Sequence, residues 1–414
     1  MNKLLQSGII FAAISFLTGL GNLAFQGVMG RHLSGVVGHY ADANSALNSL
    51  MTLLGLLPSV AAFAVTHYIA HFNASGDGAR LQGLLLGCRK FLFRLTVAGS
   101  VLAVIAVKPL SYFLHYHESL MLVTLACTLF GLWAALVTAL CQGLSWFKRL
   151  ALIGFLAMLL RVSFGWFVTF NWPSPETAVL ATGFSLLAYL TLLLWKKDLS
   201  LHGKPESPWN REFVQYLVIS AACVGGGFFF MQGDLLVSQH NFIADADRDA
   251  YATAERLALA LPMTVGPLLT VLFTSRSGER AGNIVREQFK LLGLYALGLM
   301  AGAAALFFLR NFCVKLILGK ASPEAAAMIG QLATTMVFVG LLQALALWAL
   351  ASRWQKISLL YGVLGLGYWL TILIIGKSPA ALLQTMPVAA GTAFAVLFGF
   401  WLVTMRQHKP VAQS

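Results

Sequence analysis

Residues 4–29 read Leu-Leu-Gln-Ser-Gly-Ile-Ile-Phe-Ala-Ala-Ile-Ser-Phe-Leu-Thr-Gly-Leu-Gly-Asn-Leu-Ala-Phe-Gln-Gly-Val-Met, without one charged side chain. The apolar core of a secretory leader spans about 7–15 residues. This run is longer, so it reads as an uncleaved first membrane span. A helix needs about 20 apolar residues to cross the hydrocarbon. About twelve such runs follow, near 5–29, 43–68, 84–107, 119–143, 148–170, 176–195, 213–240, 251–275, 289–309, 325–350, 356–376 and 382–405. None alternates with period two, which excludes barrel strands. The expected fold is an all-α integral membrane protein.

The composition agrees. Of 414 residues, 58% are hydrophobic and 10% charged, and the mean hydropathy is +0.78, whereas soluble domains carry about 25% charged residues. The net charge of +13 could suggest nucleic acid, but the basic residues are spread through the connections instead of forming one patch, so no nucleic-acid partner is expected. With the N-terminus inside, 19 of the 28 Lys and Arg fall on the inner side and 7 on the outer, the others being Arg161 and Arg256 within spans. That bias puts both termini in the cytoplasm. Cys88, Cys127, Cys141, Cys223 and Cys313 are scattered without CxxC spacing, and His67/His71 and His115/His117 lack acidic or thiol companions at ligand spacing. Neither a disulfide framework nor a metal site follows.

The longest polar connection runs from Lys196 to Glu212 and contains Pro205 and Pro208. It divides the chain into an N-terminal six-helix lobe (1–195), a cytoplasmic linker (196–212) and a C-terminal six-helix lobe (213–414). A shift of 211 places Tyr40-Ala41 on Tyr251-Ala252 and Gly55 on Gly266, but pairs Gly21 with Gln232 and Asn22 with Gly233. Identity is sparse and the match of hydropathy carries more. An even number of spans per half implies parallel repeats, with a substrate path between the halves.

Gly38-His39-Tyr40 after span one, Val65-Thr66-His67-Tyr68-Ile69-Ala70 before Ala74-Ser75-Gly76-Asp77, and Asp234-Leu235-Leu236-Val237 with Tyr251-Ala252-Thr253-Ala254 carry a resemblance. The chain resembles polysaccharide and oligosaccharide-lipid exporters, O-antigen flippases among them, of the multidrug/oligosaccharidyl-lipid/polysaccharide exporter superfamily. It departs where His67 stands in place of Arg and where Ala244-Asp245-Ala246-Asp247 precedes the tyrosine. The resemblance implies two bundles in a V, moving a lipid-linked saccharide across the bacterial cytoplasmic membrane. No bound cofactor is expected, coupling to a proton or sodium ion is, and glycan-assembly proteins are candidate partners.

An ionisable side chain in mid-membrane costs about 2.5–3.5 kcal/mol on insertion scales and needs a partner or a use. Arg161 lies about 18 Å along its span from Arg149, where its planar fork could grip pyrophosphate or an acidic sugar or tie helices together. Asp234 lies about 31 Å along span seven, in its outer half, with Glu255 and Arg256 one to two turns into span eight. Asp234 could pair with Arg256 as a structural bridge, or Asp234 and Glu255 could hold a coupling ion. Asn22 and Gln26, and Asn44, Asn48 and Thr52, share helical faces; with Arg256 they are candidate cargo contacts, although polar contacts between packed helices explain each pair alone. Gly225, Gly226, Gly227, Pro262 and Pro267 are candidate hinges.

Two other functions fit parts of this pattern. A multidrug or organic-cation antiporter would share the fold but present acids to its cargo. A membrane-embedded saccharide polymerase or ligase would carry catalytic groups on a large external loop, and the external loops here are short. Topology is directly testable. Reporter fusions after Ser207 and Gln407 should report cytoplasm and one near Asp245 the outside; an external signal at Ser207 overturns the two-by-six arrangement.

Overall fold

The structure, a computed structural model, describes residues 3–194, 211–274, 284–351 and 354–407. Most of the 196–212 linker lies outside these residues, as do several of the basic connections on the inner side. Among the described residues there is no strand. Among the described residues, the helices form twelve segments of membrane length, six in each half.

In the first half these are α1 (Lys3–Leu33); a broken segment of α2 (His39–Ser45), a π-helical turn (Ala46–Leu50), α3 (Met51–Leu54) and α4 (Leu56–Ser75); then α5 (Gly78–Leu114), α6 (Glu118–Gly143), α7 (Phe147–Asn171) and α8 (Pro175–Leu194). In the second half they are α9 (Arg211–Met231) with α10 (Gly233–Asn241), α11 (Asp245–Thr274), α12 (Ile284–Phe308) with α13 (Arg310–Leu318), α14 (Pro323–Ala351), α15 (Gln355–Ile375) and α16 (Pro379–Gln407). Among the described residues, six helices are long and apolar enough to cross a membrane alone, and eight when each bent pair counts as one span. The bends are 48° between α9 and α10 and 75° between α12 and α13. By contacts the chain divides into two compact units, Met1–Val224 and Gly225–Ser414.

Large apolar side chains point outward. On α5, Val104 is 70% exposed and Ile105 67%. Such exposure along a helix is costly in water and free in hydrocarbon, so the second solvent of this fold is lipid. The segments start and stop where local chemistry says they should. The Asp77 side chain accepts a hydrogen bond from the Arg80 backbone N–H at 3.1 Å and caps α5. Asp245 and Asp247 occupy the first turn of α11, where the free N–H groups of a helix start favour carboxylates. This helix therefore begins six residues before the apolar run that announces it.

The candidate hinge glycines sit inside a continuous helix; α9 ends only at Met231, and the break falls at Gln232. Gly226 instead serves packing. A Cβ built on Gly365 would lie 2.7 Å from Gly226 Cα, and one on Gly226 would lie 2.8 Å from Tyr361 Cδ1. Backbone meets backbone there, so neither position tolerates a side chain. Helix α11 likewise runs unbroken through Pro262 and Pro267; Pro262 is buried, and the Pro267 side chain lies outside the described atoms.

Gly365→Val should force α15 away from α9. Overpacking of this kind costs about 1–3 kcal/mol, read as a lower melting temperature in detergent. Gly367→Val, with nothing within 4 Å of the added Cβ, should leave the melting temperature unchanged.

Candidate functional site

The first half gathers its polar side chains where α7 packs along α1. Phe25 is wholly buried, and its ring takes the space that Gly165 leaves open: a Cβ at Gly165 would lie 2.4 Å from Phe25 Cε2. One helical turn earlier on α7, the Arg161 guanidinium covers the same ring at 4.5 Å from its centroid, a cation–π contact. Arg161 Nη1 donates to Asn22 Oδ1 at 3.3 Å. Arg161 is half-buried and Asn22 exposed, so this pair lies at the surface of the half, near the middle of α7.

The rest of the candidate row points inward. Tyr40 is fully buried and its hydroxyl donates to the Oε1 of buried Gln26 at 3.3 Å. Asn48 Nδ2 donates to Asn44 O at 2.9 Å and to Asn44 Oδ1 at 2.7 Å, with Asn44 fully buried. A row that looks continuous by helical spacing is thus split. Asn22 joins Arg161, while Gln26, Asn44 and Asn48 use their amides within the protein.

The second half has a corresponding centre of different charge. The break at Gln232 makes Asp234 a first-turn residue of the short helix α10. Trp369 Nε1 donates to Gly233 O at 3.0 Å. At the other end of α10, Asn241 Nδ2 donates to Leu373 O at 3.1 Å and Gly376 O at 2.9 Å, so α10 is pinned to α15 at both ends. Asp234 is fully buried, and the hydroxyl of fully buried Tyr251 donates to its Oδ2 at 2.5 Å. Tyr251 is the residue that the 211-residue shift pairs with Tyr40. In each half, then, the equivalent tyrosine bonds a polar side chain of the preceding span, a neutral amide in one and a carboxylate in the other.

Arg256 forms its ion pair with Glu255, Nε to Oε2 at 3.6 Å, and Asp234 is held by Tyr251. Because α11 starts at Asp245, Glu255 and Arg256 lie about 15 Å along it, further in than the apolar run alone suggests. Glu255 is fully buried and Arg256 7% exposed. Asp234 Oδ1 and both Glu255 carboxylate oxygens are buried and make no hydrogen bond among the described residues. A buried carboxylate with open lone pairs is the group to which a proton or small cation binds.

One cluster escapes the sequence. His117 Nδ1 lies 2.7 Å from Ser119 Oγ, which donates to Glu176 Oε1 at 2.5 Å, tying the start of α6 to the start of α8. Serine stands between the other two, so this is not the serine–histidine–acid order that activates a nucleophile. The Ser119–Glu176 separation in sequence left no signal to find it by. Among the described residues, no group of three or more His, Cys, Asp or Glu could hold a metal ion.

Each half thus carries a polar centre, Arg161 with Asn22 on α7 and α1 in the first and Asp234 with Tyr251 on α10 and α11 in the second. No family model matches the sequence, and neither does any curated protein. Solved structures do. The chain is similar to an inward-facing multidrug resistance MATE family transporter of the MOP superfamily, at 15% identity over 97% of this chain and 100% of that one, with a TM-score of 0.76. It is similar to the lipid II flippase MurJ in an inward closed conformation, at 12% identity over 94% and 87%, with a TM-score of 0.67. The eukaryotic MATE transporter AtDTX14 aligns at 14% identity over 97% and 95%, with a TM-score of 0.62. The chain has the twelve-helix, two-lobe fold of these proteins.

Tyr251→Phe should cost more stability than Tyr40→Phe. The first strips a buried carboxylate oxygen of its donor, about 1–3 kcal/mol or more; the second strips only a neutral amide. Thermal unfolding of the two variants in one detergent makes the comparison, and equal losses would show that the two tyrosines play the same packing role.

Proposed function

We propose that the chain is an alternating-access transporter that moves an anionic, lipid-linked oligosaccharide or polysaccharide precursor outward across the bacterial cytoplasmic membrane, both termini inside. The observation that carries this reading is Arg161. It stands near the middle of a span, half-exposed, its guanidinium oriented by Phe25 and Asn22. A pre-oriented planar fork suits a phosphate or carboxylate. The likeness to a lipid II flippase supports the cargo class. Proteins that assemble glycans are the expected neighbours.

In this reading the carboxylates of the second half couple transport to an ion. Occupancy by a proton or sodium ion can drive a carrier only if it favours one state over the other. Asp234 and Glu255, with open oxygens beside a single arginine, have the chemistry for that. Tyr251 and the clamped α10 hold Asp234 in place, so a change of its charge acts on a rigid element.

The same two carboxylates support the second reading. Buried acids in an apolar surrounding also suit an organic cation, and the multidrug transporters among the similar structures point that way. The two readings differ in which half touches the cargo.

Arg161→Ala should abolish export of the lipid-linked precursor while the protein still reaches the membrane, and Arg161→Lys should restore it in part, because a point charge keeps the attraction and loses the fork. Accumulation of precursor in cells and flux in proteoliposomes measure both. Asp234→Asn should leave saccharide flux intact but insensitive to imposed proton and sodium gradients. Full activity of Arg161→Ala, together with loss of organic-cation efflux in Asp234→Asn, would establish the antiporter instead.

A further inference from the structure

We infer that the second half carries a binding crevice for one acidic glycerophospholipid, with an acyl chain between α12, α14 and α16 and the phosphate on Arg310. No part of the transport reading is needed for it.

The crevice exists because α12 and α16 both pack on α14, and the residues α14 presents between them are small. Its volume is about 660 Å³, within the range of roughly 300–1,000 Å³ of sites that bury a small ligand. Ala304 and Phe307 form one wall, Gly330 and Thr334 the floor, and Pro387 belongs to the other wall. Thr334 is a polar residue in name only here, since its hydroxyl donates to Gly330 O at 2.9 Å. The lining is therefore mostly apolar, with Gln331 its other polar side chain. Phe308, at the rim, is 82% exposed, an exposure that belongs to a surface bathed in lipid chains.

What selects an acidic lipid is the cation at the mouth. The chain turns by 75° between α12 and α13, and Arg310 opens α13. Its guanidinium lies 4.8 Å from the centroid of the Phe307 ring. One aromatic ring thus forms a wall of the crevice and carries the arginine at its end. Among the described residues no carboxylate pairs with Arg310. Lys315 and Lys320 add positive charge at this end of the half, against Glu324, which accepts from Ser322 Oγ at 3.2 Å. Helix α13 buries Val314, Ile317 and Leu318 and exposes Phe312 and Leu316, as a helix lying at a membrane interface does. Gly330 is about 10 Å along α14 from Pro323. A lipid with its phosphate at the level of Arg310 would therefore place the first part of its chain in the crevice.

The arrangement fits a phospholipid better than a soluble anion. A free phosphate would use Arg310 and leave the crevice unexplained; a neutral lipid would use the crevice and leave Arg310 unexplained.

The experiment is native mass spectrometry of the full chain taken from bilayers of equal parts phosphatidylglycerol and phosphatidylcholine. The wild-type protein should retain phosphatidylglycerol in preference to phosphatidylcholine. Arg310→Gln should lose that retained molecule, and so should Thr334→Trp, which fills the crevice from an exposed position. Ala304→Leu is the milder filling should the tryptophan variant fail to fold. Lys148→Gln, a basic residue remote in sequence at the start of α7, should retain the lipid. Equal retention of the two lipids by the wild type overturns the proposal. So does a filled crevice that still holds phosphatidylglycerol, because the lipid would then sit elsewhere.

Discussion

In hydrocarbon a helix can stop only where something else takes up its hydrogen bonds. The α9–α10 break shows what that requires. The indole N–H of Trp369 reaches Gly233 O, and the Asn241 amide takes two carbonyls at the end of α15. These contacts anchor α10 on α15 at both of its ends. Everything distinctive about the second half's polar centre follows. Were α9 to continue straight, Asp234 would be one more polar residue along a helix flank. Because a new helix begins at Gly233, its carboxylate sits in a first turn, within reach of the Tyr251 hydroxyl.

The halves share this architecture and differ in what they do with it. Tyr40 and Tyr251 occupy corresponding positions, both buried, both donating to the preceding span. One meets an amide and the other an acid. The first half then keeps its charge, Arg161, at its surface, while the second half buries Asp234, Glu255 and Arg256 together. The two halves thus diverge in charge around a common tyrosine.

Much of the fold is legible in the chain. The apolar runs mark twelve spans, each of which falls on one helical segment of the structure, because a span needs only length and apolarity. What the runs cannot report is where helices break. Gln232 carries no proline or glycine signal beyond its neighbour Gly233, and its break depends on Trp369, far along the chain. Conversely, Pro262 and Pro267 suggest bends, yet α11 continues through both. The ionisable residues of the candidate site were legible in the same way. Arg161, Asp234 and Glu255 stand out because ions in apolar runs are rare. Their partners do not: Asn22 for Arg161 and Tyr251 for Asp234 are separated from them in sequence, and helical spacing speaks only of neighbours on one helix. It joined Asn22 to Gln26, which packing then separated.

At 37 residues, α5 is about 55 Å long, against about 30 Å of hydrocarbon. Most of its exposed apolar residues lie from Val97 onward, with Lys108 among them, and Arg80, Arg89, Lys90 and Arg94 lie before it, so close to half the helix stands in the headgroup region and beyond. Each of those cations near an acidic leaflet is worth about 1 kcal/mol, and the attraction fades within about 10 Å. The helix therefore behaves as a depth gauge. Sinking it would bury arginines and lifting it would draw them from the headgroups, so its basic end sets the depth at which α5 can sit.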